Sequence, residues 1–357
     1  MVSDMKRAIG SLLLVGMLSC GSPVQVVDLV DPAALCGGEC WPGASWAPAP
    51  SPAALGWSEP GLAAANGYAH EIGSDAVMIV DRGLVVAEWG ATARVHWVQS
   101  ARKSFLSALY GIYVAEGAID LSLTLADLGV DDIPPSLTDI EKQATLEQLL
   151  QARSGVYHEA AAESQSMKDA RPARGSHPPG TFWYYNNWDF NVLGVVFNQL
   201  TGGDLFQALY DRLAVPLGMQ DFEASDGLYL YEPVSEHPAY PFAMSARDMA
   251  RFGLLMARGG RWRGAQVVPE VWVERSTQPW SDAGGTWDYG YMWWVGKPSY
   301  HEGHRMFAAL GGAGHAIYVF PELDVVVVHR VDAPSYRFGW SQVDELLRRI
   351  MAARPPG

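Results

Sequence analysis

The chain has 357 residues, 49% of them hydrophobic, which is ample to bury a core in one large domain or a domain with a lobe. Its formal charge of −14 excludes the basic face that nucleic-acid binding needs. No phosphate-binding loop is present, and beyond the leader no stretch is long and apolar enough to span a bilayer.

The leader reads "MVSDMKRAIGSLLLVGMLSCGSP". Lys6 and Arg7 make a basic start, and Ala8 to Leu18 make an apolar run of secretory length. Ser19-Cys20-Gly21 then resembles a bacterial lipoprotein signal, so residues 1–20 are read as a lipoprotein-type signal, cleaved before Cys20, which is lipidated as the new N-terminus on the periplasmic side. A simple cleaved signal is the alternative. Residues 21–58 are rich in Pro, Ala, Ser and Gly and read as a tether with little structure of its own. Cys36 and Cys40 stand inside it. Export favours a small disulfide loop there, and free thiols are the other reading.

The globular part is expected over 59–353. "DAVMIVDRGLVVAEWG" is two apolar runs around Asp81-Arg82-Gly83, a β-hairpin. "SARKSFLSALYGIYVAEG" follows as a buried helix opening at Ser100. The middle reads as helical. "TDIEKQATLEQLLQARSG" and "DFNVLGVVFNQLTGG" carry apolar residues at helical spacing with glycine stops, and "SARDMARFGLLMARGG" is a helix capped by Ser245. "HAIYVFPELDVVVVHRV" is a second hairpin turning at 321–324, and "WSQVDELLRRIMAAR" closes as an amphipathic helix. Strands at both ends with helices between them predict an α+β fold, an antiparallel sheet with a mainly helical lobe and a cleft where they meet.

Ser100 and Lys103 share a helix face. A serine hydroxyl is a weak nucleophile until a neighbour takes its proton. The apolar run after Lys103 implies burial, which disfavours an ammonium and makes a general base available. The competing reading is a serine N-cap followed by an unrelated lysine. Composition bears on the choice: the chain holds only five lysines against twenty arginines, and lysine alone can deprotonate usefully. Two later stretches add to it. Tyr185 and Asn187 in "TFWYYNNWDF" offer a proton shuttle or second base, if cations lower the phenol pKa, and an amide to hold the lysine and a substrate carbonyl. Tyr184 competes for the tyrosine role, and the spacing to Leu193-Gly194 favours Tyr185. Gly311 and Gly312 stand before a strand, where backbone can approach a substrate closely and give an oxyanion N–H.

Ser-x-x-Lys, Tyr-x-Asn and a glycine-rich strand start, in that order, resemble the serine β-lactamase and penicillin-binding superfamily. The class C-like branch, with its esterases and 6-aminohexanoate-dimer hydrolases, is the nearest in pattern, over about residues 58–350. The resemblance implies a β-lactamase-like antiparallel sheet flanked by terminal helices. It implies Ser100 as acylated nucleophile, Lys103 as base, Tyr185 as shuttle and Asn187 as orienting amide. Gly312, to within one residue, would supply the second oxyanion N–H. The sequence departs from the family at the third motif, where "ALGG" replaces Lys-Thr-Gly. That removes the cation that holds a penicillin or peptide carboxylate, so an ester or small amide is the expected substrate. A D,D-peptidase or β-lactamase proper, or a non-catalytic recognition protein, is the alternative. His315 lies nearby and could partly replace that cation, a rim residue being the other reading, and His158 is a further candidate for the cleft, a surface-loop histidine being the other.

No cofactor or metal is expected. "HEGH" at 301–304 lacks His-Glu-x-x-His spacing, and Gly-x-Ser-x-Gly is absent. Trp183, Trp188, Trp287, Trp293 and Trp294 either shape a pocket or pack the core.

Overall fold

The computed structural model describes residues 29–300, 303–331 and 339–354. The leader, its Cys20 and the first two residues of "HEGH" lie outside the described residues.

The strands are β1 (Ala76–Asp81), β2 (Leu84–Gly90), β3 (His96–Trp97), β4 (Ala243–Met244), β5 (Arg261–Trp262), β6 (Ala265–Gln266), β7 (Ser281–Asp282), β8 (Trp287–Tyr289), β9 (Trp294–Gly296), β10 (Phe307–Gly311), β11 (His315–Phe320) and β12 (Val325–Arg330). Eight of them form one antiparallel sheet in the order β2-β1-β12-β11-β10-β9-β8-β7. The two expected hairpins pair through β1 and β12 and make one half of it, with β2 at the edge. The β1–β2 turn is possible because Arg82 and Gly83 both take positive φ, 50° and 82°, the geometry of a tight hairpin turn.

All residues of β1, β11 and β12 are buried, which explains their unbroken apolar runs: both faces of the sheet are covered. One face takes Val77, Ile79, Val325 and Val327 against helices α2 (Glu59–Glu71) and α11 (Trp340–Ala352). The other takes Met78, Val80, Val326 and Val328 against the larger core. That core is built by the helical segments α3 (Arg102–Ala115), α6 (Asn187–Thr201) and α9 (Ala246–Ala257) with shorter turns between them. Helix α9 lies on β11 and β12 and touches them at Gly253. "TDIEKQATLEQLLQARSG" is less helical than its spacing suggests. Extended backbone at Ala144 breaks it into a short turn and the helix Leu146–Leu150, which Thr145 caps with a capping box.

The tether reading fails for the described part of 21–58. Cys36 and Cys40 form a disulfide that closes a small loop, and residues 47–49 run along β2, with Ala49 N donating to Val85 O at 2.8 Å and Val85 N to Ala47 O at 2.9 Å. Trp57 is 2% exposed and its indole N–H donates to Asp81 Oδ2 at 2.7 Å. Trp46 donates to the Arg247 carbonyl, and Trp41 packs on Trp262 and Arg258. Pro and Ala composition concealed three tryptophans with enough apolar area to bind the segment to the domain.

A Cβ at Gly253 would sit 2.5 Å from Val326 Cγ1 and 2.8 Å from Ile317 Cγ2. Gly253→Val is therefore expected to destabilise the fold by about 2–3 kcal/mol through overpacking. A denaturant midpoint equal to wild type contradicts this reading of the α9–sheet contact.

Candidate active site

Ser100 lies in a 3-10 turn, Gln99–Ala101, that runs directly into α3. It makes no side-chain cap hydrogen bond, so the N-cap reading fails. The turn is tight: Gln99 holds φ 52°, a left-handed value uncommon for a side chain of its kind. The end of β10 presses against it. A Cβ on Gly311 would lie 2.4 Å from Val98 O and 3.0 Å from Gln99 Cβ, so only glycine fits there.

Lys103 sits one turn along and is 1% exposed. Its Nζ lies 2.8 Å from Ser100 Oγ, 2.8 Å from the Tyr185 hydroxyl and 2.9 Å from Asn187 Oδ1. Asn187 is fixed in this orientation because its Nδ2 donates to Ala162 O at 2.6 Å. Burial, and then the charge of neighbouring Arg102, hold the Lys103 pKa well below the ordinary lysine range. The rings of Tyr185 and Phe190, 4.5 and 4.7 Å from Nζ, favour the ammonium, but such contacts are worth at most a few kcal/mol and leave burial dominant. By contrast Lys142 and Lys297 pair with Asp131 and Asp282 nearer the surface.

A neutral amine has two N–H groups and one lone pair. Asn187 Oδ1 can only accept, so it takes one N–H. The lone pair is then free to accept the Ser100 proton, with the second N–H donated to Tyr185. Tyr185 itself departs from the sequence expectation. Burial outweighs the effects of Ser100 and Arg102 and raises its pKa to about 12, so the phenol keeps its proton and is no phenolate base. Tyr184 points elsewhere, donating to Met167 O at 2.7 Å.

Helix α6 ties down the loop opposite Ser100 with three amides at its start. Asn186 donates to Val156 O, Asn187 to Ala162 O and Asn191 to Ala161 O. Asn186 also donates to Asp189, which accepts the Ser154 hydroxyl. The Asp189 carboxyl is fully buried, which pushes its pKa well up.

Ser100, Tyr185, Gly311 and Gly312 line one cavity of about 740 Å³, with Ala162, Ser164, Met167, Trp287, Trp294, Trp340 and Asp344 around it. Of the five tryptophans considered from sequence, Trp287 and Trp294 line this cavity. Trp188 and Trp293 are fully buried core, and Trp183 borders a separate depression. His315 is not in the wall. It is 1% exposed behind β10, its Nδ1 accepts from Arg330 Nε at 3.1 Å, and burial beside Arg330 lowers its pKa to about 2. It is neutral and cannot replace a lysine. His158 is also buried away from the cavity, its ring nitrogens 3.0 and 3.1 Å from the carbonyls of Glu159 and Ile133. Among the described residues no group of His, Cys, Asp or Glu could hold a metal ion.

Sequence reasoning missed Ala162, Met167, Trp340 and Asp344. Trp340 and Asp344 stand four apart on an amphipathic helix, a shared-face spacing that could have flagged them together. Ala162 carries no such signal, because its place depends on the long-range bond from Asn187.

The family model described as Beta-lactamase matches residues 60–331. The chain belongs to that family. A 6-aminohexanoate-dimer hydrolase of Paenarthrobacter ureafaciens is 25% identical over 293 residues, 71% of each chain, and supports a hydrolase. Solved structures show the same fold. A β-lactamase from Mycobacterium bovis aligns over 82% of this chain and 97% of its own, with TM-score 0.57 and 21% identity. A penicillin-binding protein homologue from Caulobacter crescentus aligns over 84% and 99%, with TM-score 0.61 and 16% identity.

Burial holds two histidines of this β-lactamase-family chain neutral: His315, and His329 on β12, whose pKa falls to about 4. Both values lie below the unfolded one, so protonation below about pH 6.5 favours the unfolded chain. Stability is expected to fall as pH drops from about 6.5 towards 4, by up to about 1.4 kcal/mol per pH unit for each histidine. Denaturant midpoints at several pH values measure the slope. A His315 imidazole resonance titrating near pH 6.5 contradicts the assignment.

Proposed function

We propose that the protein is a serine hydrolase that cleaves an ester or small amide through an acyl-enzyme on Ser100. The observation that carries this is the buried Lys103 amine in contact with Ser100 Oγ, Tyr185 and Asn187. Ser100 Oγ attacks the substrate carbonyl carbon as its proton passes to Lys103 Nζ. The oxyanion is stabilised by the Ser100 N–H and a backbone N–H at or next to Gly312. Tyr185 donates its proton to the departing alkoxide or amine and recovers one from Lys103, leaving an ester on Ser100. Water then attacks that ester, giving its proton back through Tyr185 and Lys103, and the acid leaves with Ser100 restored. No cofactor takes part in this scheme.

The name of the Paenarthrobacter relative supports amide cleavage. The absence of a cationic side chain among the described residues around the cavity disfavours a penicillin or peptide carboxylate. Export and lipidation at Cys20 belong to the same proposal. The leader supports them, and the Cys36–Cys40 disulfide fits an oxidising compartment.

Ser100→Ala is expected to lower ester hydrolysis at least about 10³-fold with unchanged melting, and a fluorophosphonate probe should add mass at Ser100 in wild type. Full activity of Ser100→Ala, or no labelling of folded protein, favours a non-catalytic binding protein instead. The kcat/KM profile should rise with pH as Lys103 loses its proton, with the limb well below the ordinary lysine range. Tyr185 should impose no alkaline fall until near pH 12. Asn187→Asp places a carboxylate against Nζ and should move the lysine limb upward; an unmoved limb argues against Lys103 as the base.

A further inference from the structure

The cavity wall has a charge pattern that the acyl-transfer scheme leaves unused. Among the described residues that line it, Asp344 is the one charged side chain, and it is acidic. Its surroundings are aromatic. From Tyr185 beside the nucleophile, ring contacts run to Trp294 at 5.3 Å, from Trp294 to Trp287 at 6.2 Å and from Trp287 to Tyr300 at 5.2 Å. Tyr300 and Asp344 are close enough for each to shift the other's ionisation, and Trp340 stands one turn before Asp344 on α11.

We propose that Asp344, with the indoles of Trp287, Trp294 and Trp340, selects esters or amides that carry an ammonium group away from the scissile bond. This rests on the hydrolase reading and adds the substrate's charge to it.

Three observations carry the assignment. Aromatic faces with a carboxylate at their end are the chemistry that holds an ammonium, through the ring quadrupoles and an ion pair. Among the described residues the carboxylate makes no ion pair at close range. Its nearest cationic neighbour on α11, Arg348, is paired with Glu345 and is more than half exposed. Burial raises the Asp344 pKa, so its carboxylate gains from any cation brought into the cavity. The chain's charge of −14 favours the arrival of cations as well.

Two ester pairs, matched in shape and differing in charge, test this. p-Nitrophenyl 6-aminohexanoate against p-nitrophenyl heptanoate puts the charge on the acyl side. Choline butyrate against 3,3-dimethylbutyl butyrate puts it on the alcohol side. In wild type the cationic member of at least one pair should have a kcat/KM about ten-fold higher, the equivalent of about 1.4 kcal/mol. In Asp344→Asn that ratio should collapse towards one, and in Asp344→Lys it should invert. A preference for the neutral member in both pairs, or a ratio that survives in a folded Asp344→Asn protein, overturns the proposal. A binding arm separates this from the hydrolase reading. Ser100→Ala protein is titrated with choline and with 3,3-dimethylbutanol, read by tryptophan fluorescence. Tighter choline binding that is lost on adding Asp344→Asn supports the cation site even where no ester is turned over. Ester hydrolysis that depends on Ser100, without a cationic preference in either ester pair, retains the hydrolase and removes the cation site.

Discussion

Everything in the cleft depends on a lysine amine buried without a carboxylate partner. A charged ammonium in that position would lack the counter-ion that buried charges need. The protein instead surrounds Lys103 Nζ with three oxygens, one of which can only accept. A neutral amine satisfies all three and still offers a lone pair to a hydroxyl. The same burial that costs Lys103 its proton keeps the proton on Tyr185. One environment therefore divides the labour between a base and an acid, with no added charge.

Holding that environment in place takes much of the helical lobe. The amides at the start of α6 reach across to three carbonyls of the facing loop, and Asp189 and Ser154 brace the first of them. On the other side the end of β10 lies so close to the turn before Ser100 that a single methyl at Gly311 would displace it. Ser100 is thus gripped between a strand end and a helix end. Such close packing leaves little slack for the reacting groups, which favours pre-set geometry over rearrangement.

Local pattern made the two hairpins, the cap at Ser245 and the Ser100–Lys103 face readable from sequence, because each is decided by residues near one another. Asn187 was readable for its proximity to Tyr185. Its anchoring of Ala162 was not, since that contact spans 25 positions of chain. Residues 40–57 misled for a different reason. Their composition is that of a linker, yet Trp41, Trp46 and Trp57 are large enough to outweigh it once a surface is available. His315 misled because a histidine near a motif suggests charge, while its solvent access, which decides the matter, is a tertiary property.

Helix α11 has two occupations. Val343, Leu346, Leu347 and Ile350 fasten it to the sheet and α2, while Trp340 and Asp344 face the cavity near its start. Ser100 and Lys103 come from a wholly different part of the chain. On the proposed reading, reaction chemistry and substrate choice rest on separate segments of the chain that meet across the cavity. Changes at Trp340 or Asp344 on the first turns of that terminal helix would then alter recognition while leaving Ser100 and Lys103 in place.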